Sequence, residues 1–243
     1  MRRQRMLFIG ALGLTAALAV SGVAISAPAN QTLDVKVTKK TKPKLDKKKF
    51  KGTEIEVTTT TSDQANPSGI PPKANRAVLV FDKKNMKFDP KAAPGCDPNQ
   101  IENTTTQAAK AACASAQVGD GDAIAALPFG PGGTRQDFPA VVTAFNDGTQ
   151  SGILLHSRVD QLGTTVVLKG SLRGTTLDVT VPPLGGGVGA IAQFHTIVKE
   201  GKYVQVRCKR KQIKTTSTFS FTDAPDATAQ SSQACKQKKK KRR

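Results

Sequence analysis

The sequence predicts an all-β protein, an immunoglobulin-like or jelly-roll-type sandwich of antiparallel strands with disordered basic ends. Three observations carry that prediction. Helical periodicity is nearly absent beyond Asn30. Short β-branched runs recur between Gly, Pro, Asn and Asp, the punctuation of a sandwich or barrel. Two stretches also alternate strictly. "TLDVKV" sets Leu33, Val35 and Val37 against Asp34 and Lys36, and "TEIEVTT" sets Ile55 and Val57 against Glu54 and Glu56. A period of two is the mark of a half-buried strand.

The remaining elements follow along the chain. "RAVLVF" and "GILLH" are continuous apolar runs, as central strands require. "TTVVLKGSL" and "TLDVTV" are joined across "RGT", a hairpin signal. "IAQFHTIV", "YVQVRC", "TSTFSF" and "ATAQSSQAC" complete the series, the last with Thr228, Gln230 and Ser232 on a face suited to water. The final three read as an up-down-up meander. Three segments resist strand assignment: a Pro-rich loop at 61–75, a long excursion at 89–122, and a glycine hinge, "PPLGGGVGA", at 182–190. Within the excursion "TTTQAAKAACASA" suits a short helix. The Lys runs and Pro43 of residues 36–51 leave no packed face, so this stretch is a basic connection.

The N-terminus speaks to compartment. Arg2, Arg3 and Arg5 precede an apolar, small-residue run from Met6 to Ile25, with Ala24 and Ser26 placed for cleavage before Ala27. Positive, apolar and small-residue regions in that order make a secretory signal peptide. An uncleaved anchor is the alternative, since the run is nearly long enough to span a bilayer. Gly10, Gly13, Ser21 and Gly22 favour cleavage. Arg2-Arg3 hints at twin-arginine export, although Arg5 and Met6 fit that pattern poorly. The expected organisation is a leader at 1–26, a strand plus Lys-rich connection at 27–52, a β domain at 53–235 and a polybasic tail at 236–243.

Cys96, Cys113, Cys208 and Cys235 make an even number, and disulfides are the default in an exported chain. Zinc competes poorly, because the spacings contain no CxxC knuckle. The meander sends its first and third strands the same way, so Cys208 and Cys235 end on one rim. Cys96 and Cys113 both lie in the excursion. The favoured pairs are therefore Cys96–Cys113 and Cys208–Cys235.

The 243 residues carry a formal charge of +19, which falls by three to +16 if Arg2, Arg3 and Arg5 leave with the signal. The excess is clustered in "KVTKKTKPKLDKKKFK" (36–51), "RCKRKQIK" (207–214) and the tail, "KQKKKKRR". In an exported protein such clusters face envelope polymers, anionic lipid heads and stray DNA; bland solvation is the alternative. With no Trp and Tyr203 the single tyrosine, a carbohydrate-stacking or single-strand nucleic-acid platform is disfavoured.

Catalytic constellations are thin. His156 in "GILLHSR" and His195 in "AQFHTIV" are the two histidines, both inside strand-like runs and without a GxSxG elbow, HxH or HExxH spacing. Asp120 and Asp122 in "VGDGDAIAAL" are the closest carboxylate pair, but Gly119 and Gly121 suggest a turn, and a calcium loop needs more oxygen ligands. "GGGVG" lacks the lysine and the strand–loop–helix context of a phosphate cradle.

"ANRAVLVF…KFDP…CDP", "VGDGDAIAAL", "VVTAFN", "VVLKGSL", "LDVTVPPL", "YVQVRC" and "FSFTD…ACK" resemble a group of secreted actinobacterial proteins without an assigned activity, over about Thr53 to Lys236. The likeness implies an exported β-sandwich with a similar cysteine framework and transfers no functional residue.

The expected function is non-enzymatic: a secreted structural or binding module, cell-wall associated through attraction to anionic envelope polymers. The residues expected to carry it are Lys39, Lys40, Lys47, Lys48, Lys49, Lys209, Arg210, Lys211, Lys238, Lys239, Lys240, Lys241, Arg242 and Arg243. No cofactor or metal is expected. An exported hydrolase with an unrecognised site and an extracellular nucleic-acid binder are the alternatives.

Overall fold

A computed structural model describes residues 29–38 and 45–235. The leader at 1–26, Lys39, Lys40 and the tail from Lys236, including Lys238 to Arg243, lie outside the described residues.

Among the described residues, twelve strands form a single antiparallel sheet. They are β1 (Ala29–Thr38), β2 (Lys51–Asp63), β3 (Ala74–Phe81), β4 (Met86–Phe88), β5 (Gln117–Leu127) and β6 (Gln136–Asn146), then β7 (Gly152–Val159), β8 (Thr164–Arg173), β9 (Thr176–Thr180), β10 (Ala190–Val206), β11 (Gln212–Phe221) and β12 (Ala227–Ala234). The order around the sheet is β1-β2-β10-β5-β6-β7-β8-β9-β3-β11-β12, with β4 beside one end of β10. The antiparallel all-β class is the one the sequence predicts. The architecture differs: one sheet curls into a nearly closed barrel of eleven strands, where an immunoglobulin-like or jelly-roll sandwich has two facing sheets. Inward/outward alternation is the same in both, and long-range pairings, among them β2–β10, β5–β10, β3–β9 and β3–β11, distinguish them.

Closure has a geometric peculiarity. Along eleven successive antiparallel neighbours the first and last strands point the same way, so β1 and β12 cannot meet as an antiparallel pair. They meet in parallel, through side chains. The Val35 N–H donates to Ser231 Oγ at 2.9 Å, and the Val37 N–H donates to Gln233 Oε1 at 2.6 Å. Gln233 Nε2 donates back to the Val37 carbonyl at 3.0 Å. Two residues on β1 match two on β12 in the same direction.

The core follows from the strand patterns. Leu33, Val35 and Val37 face inward from β1, as does Ile55 from β2, and all are buried. Each such side chain contributes about 1.5–3 kcal/mol on leaving water. β7 is apolar throughout for a different reason. Its Ile153 and Leu155 belong to the barrel interior, whereas Leu154 sits in a second cluster with Ile101, Ala109, Ala116 and Phe145. That cluster lies under the excursion at 89–116, which covers the outer face of β6 and β7. Helix α1 (Thr106–Ala112) forms within it, with the Thr105 side chain accepting from the Ala108 N–H. Asn146 pins the start of the excursion, donating from Nδ2 to the carbonyls of Pro90 and Ala93, each at 2.8 Å.

Both favoured disulfides form, Cys96–Cys113 and Cys208–Cys235. The up-down-up meander that the sequence predicts around the second pair does not form. "YVQVRC" is the end of the long strand β10, and β11 pairs with β3 and β12 instead. β10 and β12 still run in the same direction and end on the same rim, which is why the bond closes. "IAQFHTIV" and "YVQVRC" are one strand, because irregularities between Val198 and Gln205 in its pairing with β2 absorb the polar Lys199–Lys202 stretch that reads as a turn. Gly119 and Gly121 are not a turn either. They lie within β5, pressed so closely on β10 that a Cβ at Gly121 would fall 2.0 Å from the His195 carbonyl oxygen.

Candidate functional site: the basic rim

The alternating strand directions give the barrel two rims. One rim receives the ends of β1, β10, β6, β8, β3 and β12. Along the arc of it from β3 through the seam to β10 lie three loops, residues 45–50 before β2, 82–85 after β3 and 207–211 before β11; the β6–β7 loop with Asp147 lies elsewhere on the same rim. The rim gathers Lys47, Lys48 and Lys49 from the first of these, Lys83 and Lys84 from the second, and Arg207, Lys209, Arg210 and Lys211 from the third. All except Arg207 are exposed. The acidic residues among them are Asp46 and Asp82, and both accept backbone N–H groups of their own loops. Asp46 takes those of Lys48 at 2.7 Å and Lys49 at 3.0 Å, and Asp82 takes that of Lys84 at 2.9 Å.

These loops are bolted together. Asn85, fully buried, accepts the Arg210 N–H at Oδ1 (2.9 Å) and donates from Nδ2 to the Gln212 carbonyl (2.8 Å). The Arg207 guanidinium stacks 4.2 Å from the Phe50 ring centroid and donates from Nε to the Lys84 carbonyl at 2.9 Å. The Cys208 N–H reaches the Asp46 carbonyl at 2.7 Å. Cys235, bonded to Cys208, donates its N–H to the Lys211 carbonyl at 2.7 Å. Cys235, the last described residue, is thus held at this rim.

The opposite rim has a different electrostatic habit, because its cations are matched by carboxylates. Arg76 holds Asp178 through two bonds of 2.8 and 2.7 Å, and Arg135 holds Asp137 at 2.7 and 3.0 Å. Arg158 meets Asp160 at 2.8 Å, and Lys73 lies 3.6 Å from Asp223. Hydrogen bonding to Arg76 holds the Asp178 carboxyl below the usual carboxylate range. Of the residues expected from sequence, Lys47–Lys49 and Lys209–Lys211 are brought together. Lys83 and Lys84, in "FDKKNMKF", join them although no reading of separate clusters singled them out. The role of Asn85 carries no sequence signal at all, since it depends on a partner 125 residues away.

The two histidines occupy separate places on the barrel's outer side. His156 is fully buried beneath the excursion, its Nε2 donating to the Thr104 carbonyl at 3.2 Å. Burial disfavours the charged ring and lowers its pKa. Below a pH of about 6.5 the unfolded chain takes up a proton that the folded ring resists. Stability should therefore fall as pH drops from 6.5 toward the folded pKa, by no more than about 1.4 kcal/mol per pH unit from this group. Urea melts between pH 7 and 5 should show that slope, and it should flatten in His156→Gln. An identical slope in the variant would remove His156 as its source.

His195 lies in the outer polar row of β2, β10 and β5. Its Nδ1 is 2.7 Å from Asp122 Oδ1, and its Nε2 is 3.3 Å from Glu56 Oε1. Asp120, two residues from Asp122, is bound by Lys199 at 2.7 Å and Lys110 at 3.0 Å. Burial opposes its charge, but the hydrogen bonds from the two lysines outweigh that and hold its carboxyl low. Among the described residues, no three His, Cys, Asp or Glu side chains are placed to hold a metal ion, and no helix is long and apolar enough to cross a membrane. Compared with known proteins, the chain matches no family model and no curated protein sequence.

Proposed function

We propose that the protein is an exported, non-enzymatic binding module that holds anionic cell-envelope polymers on its basic rim. What supports this reading is one observation: cations from three loops far apart in sequence converge on one rim, while the cations of the other rim are ion-paired. A surface with several fixed positive charges, followed in sequence by a polybasic run after Cys235, suits a repeating polyanion better than a small anion. Each charge near such a surface adds about 1 kcal/mol at moderate salt, and counterion release makes the sum strongly salt-dependent. The tail adds seven cations in sequence, among Lys236 to Arg243, directly after Cys235.

Retention on purified bacterial cell wall tests the proposal, at low and high salt. The chain ended after Cys235 should keep its disulfide and thermal midpoint but elute at clearly lower salt. Replacing Lys47, Lys48 and Lys49 together by Gln should add to that loss, whereas Lys73→Gln on the opposite rim should not. Equal retention of all variants at low salt would sink the reading. Duplex DNA displacing the protein as well as wall polymer at equal charge would turn it toward nucleic acid.

A further inference from the structure

The barrel interior is not full. Eleven strands enclose more space than inward side chains fill, and interior width grows with strand number. Several inward positions are also small, among them Ala123 on β5, Ala140 on β6 and Gly170 on β8. The result is an apolar cavity of about 130 Å³ and a second of about 280 Å³ nearer the rim opposite the basic one. They meet at Leu168, Ile191 and Phe194, which line both.

Three features point to a ligand. First, neither cavity has a charged side chain in its lining. The one phenol, Tyr203, donates to the Gly152 carbonyl at 2.8 Å, and burial keeps it un-ionised. Second, Thr196 lines the inner cavity at 7% exposure, and its Oγ1 has no hydrogen-bond partner among the described residues. A buried hydroxyl in that position costs about 1–3 kcal/mol unless something satisfies it. Third, Phe129 lines the outer cavity yet is 57% exposed, at the rim where that cavity reaches the surface.

We propose that the interior is a binding site for a neutral, slender apolar molecule: a hydrocarbon chain bearing one small hydrogen-bonding group. The chain enters beside Phe129, runs past Phe194, and brings its polar group to Thr196. Dry apolar cavities of this size take up hydrocarbons readily. A carboxylate cannot follow, because no buried cation would compensate its lost hydration.

The test uses the disulfide-bonded protein and the neutral dye N-phenyl-1-naphthylamine. Saturable one-to-one uptake is expected, with displacement by decan-1-ol and at least tenfold weaker displacement by decanoate. Ala140→Leu, which fills the outer cavity, should weaken dye binding at least tenfold, whereas Val141→Leu on the outer face should leave it unchanged. Thr196→Val should weaken decan-1-ol severalfold relative to the dye. Because Ala140→Leu can also disturb folding, methyl NMR of the unaltered protein provides a second readout. Decan-1-ol should shift Leu168 and Ile191 and leave the outward Leu154 in place. Dye binding unaffected by Ala140→Leu in a folded protein, equal displacement by decanoate, or shifts confined to outer methyls would overturn the proposal.

Discussion

Gly121→Val should cost at least about 3 kcal/mol and leave little native protein at 37 °C, among the largest single-residue effects expected in the described residues. The reason is backbone, not side chain. A Cβ at position 121 would sit 2.0 Å from the His195 carbonyl oxygen and 2.9 Å from the Thr196 Cα. Neither can retreat as a flexible side chain would. β5 is hydrogen-bonded to β10 on one side and β6 on the other, so moving it away from β10 breaks one ladder and strains the next. Gly132 supplies the contrast. It has φ 67° with nothing within 4 Å of a built Cβ, so Gly132→Ala should cost only the left-handed penalty, about 1–2 kcal/mol. Denaturant melts of both variants check the pair. Similar stabilities would mean that β5 and β10 lie farther apart than described.

Replacing Cys208 and Cys235 together by serine should lower stability by about 3.5 kcal/mol. The bridge closes a separation of 27 residues, and chain-entropy bookkeeping for a loop of that size gives this figure. For a domain of this length the melting temperature should fall by roughly 10 °C. The bond also holds the end of β12 against the rim where β10 finishes, so its loss loosens the base of the tail. Calorimetry of the double variant, with the separately prepared Cys96/Cys113 serine pair alongside, measures the effect. A midpoint within a degree or two of the parent would show that Asn85 and the seam already hold this rim without the bridge.

Much of this fold can be read locally. Leu33, Val35 and Val37 announce β1, and "GILLH" announces a strand covered on both faces, because burial on a pleated strand repeats every two residues. The disulfide pairs were also legible, one from proximity and one from strand direction. Barrel closure was not. Whether β10 neighbours β11 or β2 depends on pairings spanning more than a hundred residues, which no local pattern encodes. "KEGK" within β10 and "GDGD" within β5 look like turns because glycine permits turns, yet glycine also permits the close strand contact found at Gly121. The same limit hid the candidate site. The basic clusters stand out in the sequence, but their convergence rests on contacts such as the Cys208 N–H to the Asp46 carbonyl and Arg207 on Phe50, between residues far apart in the chain. The interior cavities were invisible for a related reason: they are a property of the whole circumference.

The parallel seam between β1 and β12 has a consequence for how the molecule comes into being. Its hydrogen bonds join residues 196 positions apart, so β1 must wait for β12, the last of the described strands. Throughout synthesis, one flank of β1 stands without its neighbour and the curled sheet gapes. Contacts of such long range form slowly, because chain must be gathered before anything rewards the gathering. An unfinished molecule is thus an open trough with two bare edges, ready to pair with a second copy of itself. Only arrival of the final strand, carrying Ser231 and Gln233, turns the trough into a tube.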